Sequence, residues 1–431
     1  MNTLQITSLI GLLVYFAVLL FAVSKDKANQ NVLDYFFAGR SLPFWALSIT
    51  FIASWWGAGS ALSTADLAYT DGLSAFWYYG APVLIATFLM IVGAKAIRRV
   101  GYPTQGKMMA ARYSESVSKV LSVMILIFMT FSAASQMVGV GDFFGTYLGL
   151  DYEPAVLAGT GIVLIYSLFG GFRGVVLTDI IQFVLLVLSA VLVFITALTR
   201  AGGLAPIAAA AAAAGKDGYM DITSGTSRYA MYIITFGCAW MIQANVWQRI
   251  SAARTDRDAR KMTVLSFFAY IPLYLIVVLT GMAGLVLFLT LPQGGVVTAV
   301  VVNYLPPVLG AIAFVGISAA VMSTMDSLIN TGVFVPLVAG FVWRRGNAPG
   351  AMASMVVGLS YCLYNLLISA GLPLPSFWAA QSAQQVILGV SLSAAVYVAV
   401  SLCTKPDYEK ADAFIAAANL LGRQKCPPQQ G

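Results

Sequence analysis

The sequence predicts an all-α protein that spans a membrane many times, and three properties of the chain support this prediction. Of its 431 residues, 60% are hydrophobic and 10% are charged, whereas a soluble domain carries roughly 25% charged residues. The apolar residues form long runs that can each cross a hydrocarbon core of about 30 Å. The basic residues are also shared unequally between successive loops. The lipid bilayer is therefore the expected solvent for most of the chain.

About eleven apolar runs have the length of a transmembrane helix. They lie at about 5–24, 43–69, 73–97, 117–147, 154–170, 174–199, 228–248, 263–290, 309–341, 350–371 and 384–403. If the N-terminus is outside, all of the 24 Lys and Arg residues except Arg200, Lys216 and Arg228 lie in or beside inner segments. Because Lys and Arg are enriched in cytoplasmic loops, we expect a multi-pass protein of the cell's inner membrane with a cytoplasmic C-terminus. The net charge of +7 is then a topology signal, and no nucleic-acid partner is expected.

The composition argues against an enzyme. The chain contains no histidine, which removes imidazole metal sites and Ser-His or Cys-His nucleophile pairs. Its four cysteines, Cys238, Cys362, Cys403 and Cys426, form no CxxC pair, so neither a zinc site nor a disulfide framework is expected. No motif brings together a nucleophile, a base and an orienting group.

Four acidic residues, Asp66, Asp142, Asp179 and Asp326, lie inside apolar runs, and no basic residue is central to a run. Ionisable groups within a membrane are costly and usually face the interior of the helix bundle. The sequence therefore predicts uncompensated negative charge within the membrane. Protonation of these acids or cations bound near them would neutralise this charge, and both possibilities suit ion-coupled transport.

A late segment places several oxygen-bearing side chains together. Ser323, Asp326 and Ser327 are spaced i, i+3, i+4, with Thr324 beside them, and this spacing puts them on one face of a helix. Hard cations such as sodium prefer oxygen ligands, so the segment is a candidate ion site. Alternatively, the hydroxyls bond to the carbonyls of their own helix.

An early segment, Ala53 to Ser60, carries Gly57 and Gly59 in the middle of an apolar run, and glycine weakens a helix. Irregular backbone at membrane depth is tolerated where it lines a cavity, and interrupted helices mark transporter sites near the bilayer midplane. The alternative is close helix packing through small residues.

Two further features leave their roles open. A glycine turn precedes a helix that carries Thr178, Asp179 and Gln182 in its first turns, and these residues suit a structural cap as well as a transport role. Aromatic residues cluster at Trp55, Trp56, Trp77, Tyr78 and Tyr79. Such a cluster is typical of an interfacial belt, and the alternative is a solute vestibule or gate.

Four segments of the chain resemble the sodium/solute symporter family. They are the glycine-turn run from Gly170 to Gln182, the run from Ala319 to Ser327, the inner-loop run from Gln248 to Arg254, and the run from Asp34 to Arg40. The resemblance covers about residues 30–403. It implies a LeuT-type inverted repeat with one leading helix. The implied segments are a leading helix and inner loop at 1–42, five-helix halves at 43–199 and 228–403, an outer loop at 200–227 and a cytoplasmic tail at 404–431.

The resemblance also implies a set of site residues and a sodium ion as the coupling ion. The main sodium site would use the carbonyls of Ala53, Trp56 and Ala320 and the hydroxyls of Ser323 and Thr324. A second sodium site, or a proton site, would involve Ser323 with Asp179, Asp326 and Ser327. The solute would lie near Trp55, Ser60, Tyr78, Tyr79, Trp240 and Gln243.

The expected function is sodium-coupled symport of a small organic solute by alternating access. Two alternatives stay open, a proton-coupled symporter in which Asp179 or Asp326 carries the proton, and a membrane sensor module that does not transport. The expected partners are a small solute and the lipid bilayer. The sequence identifies neither the solute nor the oligomeric state.

Overall fold

The computed structural model describes residues 2–24, 37–57, 59–102, 104–156, 171–241, 243–321, 340–341, 343–369, 375 and 382–418. Within these ranges the regular secondary structure is helical, and no β-strand occurs. The predicted all-α class is therefore confirmed for the described part of the chain.

The first half of the chain contains a leading helix, an interrupted helix and three long helices. Its helices are α1 (Thr3–Ser24), α2 (Phe44–Ala53), α3 (Thr64–Asp71), α4 (Phe76–Val100), α5 (Gln105–Arg112), α6 (Glu115–Leu148) and α7 (Gly171–Arg200). The hydroxyls of Thr104 and Ser114 cap α5 and α6 by accepting backbone N–H groups from Lys107 and Val117, as N-cap hydroxyls commonly do.

The second half contains another interrupted helix and several long helices. Its helices are α8 (Leu204–Ala213), α9 (Thr226–Met241), α10 (Ala244–Ser251), α11 (Asp256–Leu287), α12 (Gly295–Tyr304), α13 (Pro307–Val321), α14 (Ala348–Ser369), α15 (Ser382–Cys403) and α16 (Tyr408–Ala418). The tail helix α16 packs through Phe414 on Phe341, with ring centroids 5.3 Å apart.

Within the described ranges most predicted spans coincide with single helices, but the runs at 43–69 and 228–248 do not, and the first of them comprises α2 and α3. The run at 228–248, expected to be a single span, is divided into α9 and α10. Helices α5 and α12 also lie in segments expected to be loops. By length and apolarity, four described stretches can cross a membrane, Thr3–Phe21, Gly59–Val100, Val175–Arg200 and Asp256–Leu287. Shorter apolar helices accompany them. The count of about eleven spans stays a prediction because residues 157–170 and 322–339 lie outside the described ranges.

Two sets of helix contacts hold the described core together. Helix α11 packs along α2, α3 and α4, whereas α13 packs against α1 and α7. The approach of α11 to α3 is close, because a Cβ atom added to Gly281 would lie 2.0 Å from the carbonyl oxygen of Ala65. Small residues allow such approaches between membrane helices.

The predicted outer loop, 200–227, packs over the end of α3. Its alanine tract forms α8, and the Tyr219 hydroxyl donates to the carbonyls of Ala68 and Tyr69 at 2.8 and 3.2 Å. The Lys216 amine donates to the carbonyl of Thr70 at 2.7 Å. Burial raises the pKa of the Tyr219 phenol, so the hydroxyl stays a neutral donor. These side chains satisfy carbonyls that the end of a helix leaves unpaired.

Replacing Gly281 by alanine should lower the thermal stability of the purified protein, because the added methyl group forces α11 away from α3. We expect a loss of about 1–3 kcal/mol, measured as a lower melting temperature in detergent. Gly93→Ala is the matched control, since its nearest neighbour would be the Ile97 Cδ1 atom at an ordinary 3.7 Å. Equal melting temperatures for the two variants would contradict the close contact.

Candidate functional site

The first interrupted helix breaks where the sequence predicts. Helix α2 ends at Ala53, and a π-helical turn, Gly59–Ser63, leads into α3. At the break the N–H groups of Trp55 and Trp56 bond three residues back, to Ile52 and Ala53, at 3.1 and 3.3 Å. Gly59 is needed here, because an added Cβ atom would lie 2.3 Å from the Tyr79 hydroxyl.

The second interrupted helix breaks at Gln243, whose backbone is extended with φ −63° and ψ 128°. This residue separates α9 from α10. The Trp247 indole donates to the Met241 carbonyl at 2.6 Å, which supplies a partner for the last turn of α9. Sequence reasoning missed this break because no glycine or proline marks it.

A side-chain hydrogen bond joins the two breaks. The Trp55 indole N–H donates to Gln243 Oε1 at 2.6 Å, and both residues are buried. The Trp55 ring centroid lies 6.1 Å from that of Trp240, and the Tyr79 ring lies 5.1 Å from Trp240. Ser60 completes the set, since its hydroxyl donates to the Trp55 carbonyl at 3.0 Å. Five of the six residues predicted to bind solute are therefore brought together.

The sixth, Tyr78, faces a different neighbourhood. Its ring packs on Tyr229 and Tyr232, and all three line a cavity of about 660 Å³ at the predicted outer end of the molecule. Tyr78 therefore lines a cavity, and its role in solute binding stays a prediction.

A buried ion pair lies below the breaks, on the predicted inner side. Arg249 of α10 donates from Nη2 to Asp179 Oδ2 of α7 at 3.0 Å, and both side chains are less than a tenth exposed. Arg249 Nε also donates to the hydroxyl and carbonyl oxygens of Thr50, at 2.9 and 3.1 Å. The Thr50 hydroxyl in turn donates to Asp179. We call these three residues the inner cluster. It ties α2, α7 and α10 together.

For Asp179, the inner cluster corrects the expectation of uncompensated charge within the membrane. The sequence assigned Arg249 to an inner loop, yet the guanidinium is buried against Asp179. Asp66 forms no ion pair with a described Lys or Arg, and its Oδ1 accepts the Val296 N–H at the start of α12 at 2.7 Å. The side chain of Asp142 and the whole of Asp326 lie outside what the structure describes.

The predicted main sodium site is only partly described. Ala53 and Trp56 lie buried at the first break, and Ala320 is the penultimate residue of α13. A cavity of about 30 Å³ is lined by Trp56 together with Gly316 and Ile317, one turn before Ala320. Helix α13 therefore approaches the break. Ser323, Thr324, Asp326 and Ser327 lie outside the described residues.

Two tyrosines that the sequence did not single out support the first break. The Tyr270 hydroxyl donates to the carbonyls of Phe51 and Ile52 at 3.2 and 3.4 Å. The Tyr274 hydroxyl shares a hydrogen bond of 2.8 Å with that of Ser60. Their spacing of i, i+4 within an apolar run was the available signal, because it puts both hydroxyls on one face of α11.

Two larger cavities lie on the predicted outer and inner sides of the centre. The outer one is lined in part by Tyr78, and a second, of about 390 Å³, lies on the predicted inner side against α5 and α10. The residues described as lining these two cavities include none of Trp55, Trp240 and Gln243. Trp55, Trp240 and Gln243 are themselves buried, so a polar and aromatic centre lies between two cavities in the part of the molecule that is described.

A helical multi-pass membrane protein with two interrupted helices that meet at a polar centre is the architecture of a secondary transporter. The comparison with family models supports the same class. Residues 35–335 match the model of the sodium:solute symporter family, and the chain belongs to that family.

Individual relatives are transporters by name. The osmoregulated proline transporter OpuE of Bacillus subtilis is 28% identical over 292 residues, which cover 65% of this chain and 59% of the relative. The sodium/glucose cotransporter of Vibrio parahaemolyticus is 25% identical, over 72% of this chain and 63% of the relative. The chain therefore spans about three fifths of the length of these two relatives.

A solved structure extends the likeness to the fold. It is a substrate-bound, outward-open state of a Na⁺-coupled sialic acid symporter, with a TM-score of 0.75 and 18% identity, and the match covers 93% of this chain and 98% of that chain. The predicted LeuT-type fold class is confirmed. The boundaries between the predicted repeats stay a prediction.

Neutralising one member of the ion pair should destabilise the protein strongly. Arg249→Gln or Asp179→Asn leaves a buried group without its partner, and breaking such a pair costs about 3–5 kcal/mol. Arg249→Met combined with Asp179→Leu should recover much of the loss, because neither charge remains buried. Thermal unfolding in detergent measures each variant.

The pair of Arg99 and Asp256 is the matched control, since its side chains are about a third exposed at a distance of 2.6 Å. Arg99→Gln should cost less than about 1 kcal/mol. Similar losses of thermal stability for Arg249→Gln and Arg99→Gln would contradict the prediction, because burial of the ion pair would then make no difference to its contribution.

Proposed function

We propose that the protein is a sodium-coupled symporter of a small organic solute that works by alternating access. The observation that carries this proposal is the meeting of two interrupted helices at Trp55 and Gln243, in a chain of the sodium:solute symporter family. Helix interruptions within a membrane provide free carbonyls and half-helix ends for ions and solutes.

Sodium is proposed to bind between the first break and the end of α13. The carbonyls of Ala53, Trp56 and Ala320 and the hydroxyls of Ser323 and Thr324 would form the cage, all of them the oxygen ligands that a hard cation prefers. In support, Trp56 and the Gly316–Ile317 turn of α13 line one small cavity, which shows that α13 approaches the first break. Sodium in the cage would hold α13 against the break and complete the solute site.

A second cation site is proposed around Asp179, Ser323, Asp326 and Ser327. Arg249 pairs with Asp179 at 3.0 Å. A cation that reached Asp179 would have to compete with this guanidinium. Occupancy of the second site would therefore loosen α10 from α7 and favour opening on the inner side.

The solute is proposed to bind between the breaks, beside Trp55, Ser60, Tyr79, Trp240 and Gln243, with Tyr78 on its outer approach. The centre is walled by aromatic rings, one amide and one hydroxyl, and the described charges nearest to it are paired with each other. Burial of an unpaired charge is expensive. A solute without net charge, neutral or zwitterionic as proline is, fits this centre better than an anion does.

Alternating access would use the cavities on the predicted outer and inner sides of the central site. Sodium and solute would enter from the outer cavity, and closure over them would precede opening of the inner one. The membrane potential contributes about 2.3 kcal/mol per charge per 100 mV, so one sodium ion can drive useful accumulation. We place the protein in the cell's inner membrane with its N-terminus outside, in agreement with the distribution of basic residues.

The double variant Ser323→Ala/Thr324→Ala should lose sodium-stimulated uptake while it still reaches the membrane, because two of the proposed sodium ligands are gone. Ser318→Ala in α13 is the matched control, since the Ser318 hydroxyl bonds to the Phe314 carbonyl at 2.7 Å. Uptake into proteoliposomes with and without a sodium gradient is the measurement. Undiminished sodium dependence in the double variant would refute the site.

The coupling ion and the charge class of the solute are tested together. A sodium gradient without a pH gradient should drive uptake of L-proline, whereas D-glucose and anionic sialic acid should be taken up more slowly or not at all. Uptake driven by a pH gradient in the absence of sodium, and lost in Asp326→Asn, would instead establish proton coupling on the same scaffold.

A further inference from the structure

The outer cavity combines an aromatic cluster with one acidic side chain. It lies against the ends of α3, α4 and α9 that the predicted topology places outside, and has a volume of about 660 Å³. We call it the outer vestibule. We propose that the outer vestibule is a separate binding site for an organic ammonium group, the cationic end of a solute, outside the central site.

Three tyrosines form one wall of the outer vestibule. The ring centroid of Tyr78 lies 5.0 Å from that of Tyr232 and 6.3 Å from that of Tyr229, and those of Tyr229 and Tyr232 are 6.2 Å apart. Aromatic faces carry negative electrostatic potential and attract ammonium groups within about 6 Å. A cluster of rings that lines a cavity, rather than a packed interior, has the composition of an ammonium-binding cage.

The charge balance of the cavity also favours a cation. Asp66 lines the vestibule, and among the described residues no Lys or Arg forms an ion pair with it; its Oδ1 accepts a backbone N–H from Val296. Arg228 lines the cavity too, but its guanidinium donates to Asp71 at 2.8 Å, and the Tyr229 hydroxyl donates to the same carboxylate. Because the charges of Arg228 and Asp71 cancel, the Asp66 carboxylate gives the outer vestibule one net negative charge.

The mixture of rings and a single carboxylate indicates an organic cation rather than a metal ion. A hard metal ion needs several oxygen ligands to replace its hydration shell, whereas alkylammonium groups are weakly hydrated and gain from contact with ring faces. The site also adjoins the centre. The ring centroids of Tyr78 and Tyr79 are 5.0 Å apart, and those of Tyr79 and Trp240 are 5.1 Å apart. An ammonium group held in the vestibule is one residue away from the aromatic wall of the central site.

The test is equilibrium binding of radiolabelled choline to purified protein in sodium-free potassium buffer. 3,3-Dimethylbutan-1-ol, which has the shape of choline without its charge, serves as the competitor. We expect choline to bind and the alcohol not to displace it. Asp66→Asn and Tyr232→Leu should each weaken choline binding by about tenfold. Tyr232→Phe keeps the ring and should bind as the wild type does.

Because the central site also has aromatic walls, the same variants are compared in a Trp240→Ala background, where the difference between them should persist. Unchanged choline affinity in Asp66→Asn and Tyr232→Leu would overturn the proposal. A loss with Asp66→Asn but not with Tyr232→Leu would also overturn it and would indicate a site for metal cations. If Asp66→Asn fails to elute as a single gel-filtration peak, the pair Tyr232→Leu and Tyr232→Phe decides. Sodium is absent throughout, so the result is independent of the proposed coupling.

Discussion

The contact of Arg249 with Asp179 and Thr50 is the interaction on which the rest of the described architecture depends. Within a membrane neither charge is tolerated alone, so the guanidinium and the carboxylate persist only while α7 and α10 lie together. Thr50 adds α2 to the same contact through its hydroxyl and its carbonyl. The inner halves of both interrupted helices are thereby joined to α7. Opening of the inner side requires either that these helices move as one body or that the cluster separates.

Above the inner cluster, polar side chains make two breaks in the backbone tolerable. Tyr270 and Tyr274 bond to the end of α2 and to Ser60, and Trp55 bonds to Gln243 across the gap between the breaks. Backbone irregularity at this depth is stable only when such partners are present. These bonds are made by side chains, so an ion or a solute that binds at the breaks would compete with them for the same groups. The buried polar groups at the breaks are also the groups that suit ion coupling.

The sequence was informative where backbone chemistry is local and less so where it depends on distant residues. Gly57 and Gly59 predicted the first break because glycine weakens a helix locally, so the short segment that contains them is enough to predict the interruption. The second break, at Gln243, has no such marker, since its partners are supplied by Trp55 and by Trp247. The pairing of Asp179 with Arg249 was missed for a related reason. The predicted spans placed Arg249 at the inner end of a helix. The structure adds the break at Gln243, after which α10 begins, and Arg249 of α10 reaches Asp179 of α7.

Hydrogen–deuterium exchange of the purified protein, compared in sodium and in potassium, tests most directly whether a cation joins the first break to α13. If sodium is caged there, it should slow amide exchange in residues 53–61 and in the last turns of α13 together, and potassium should not. Equal exchange of both segments in the two salts, or protection of only one of them, would contradict the proposed cage.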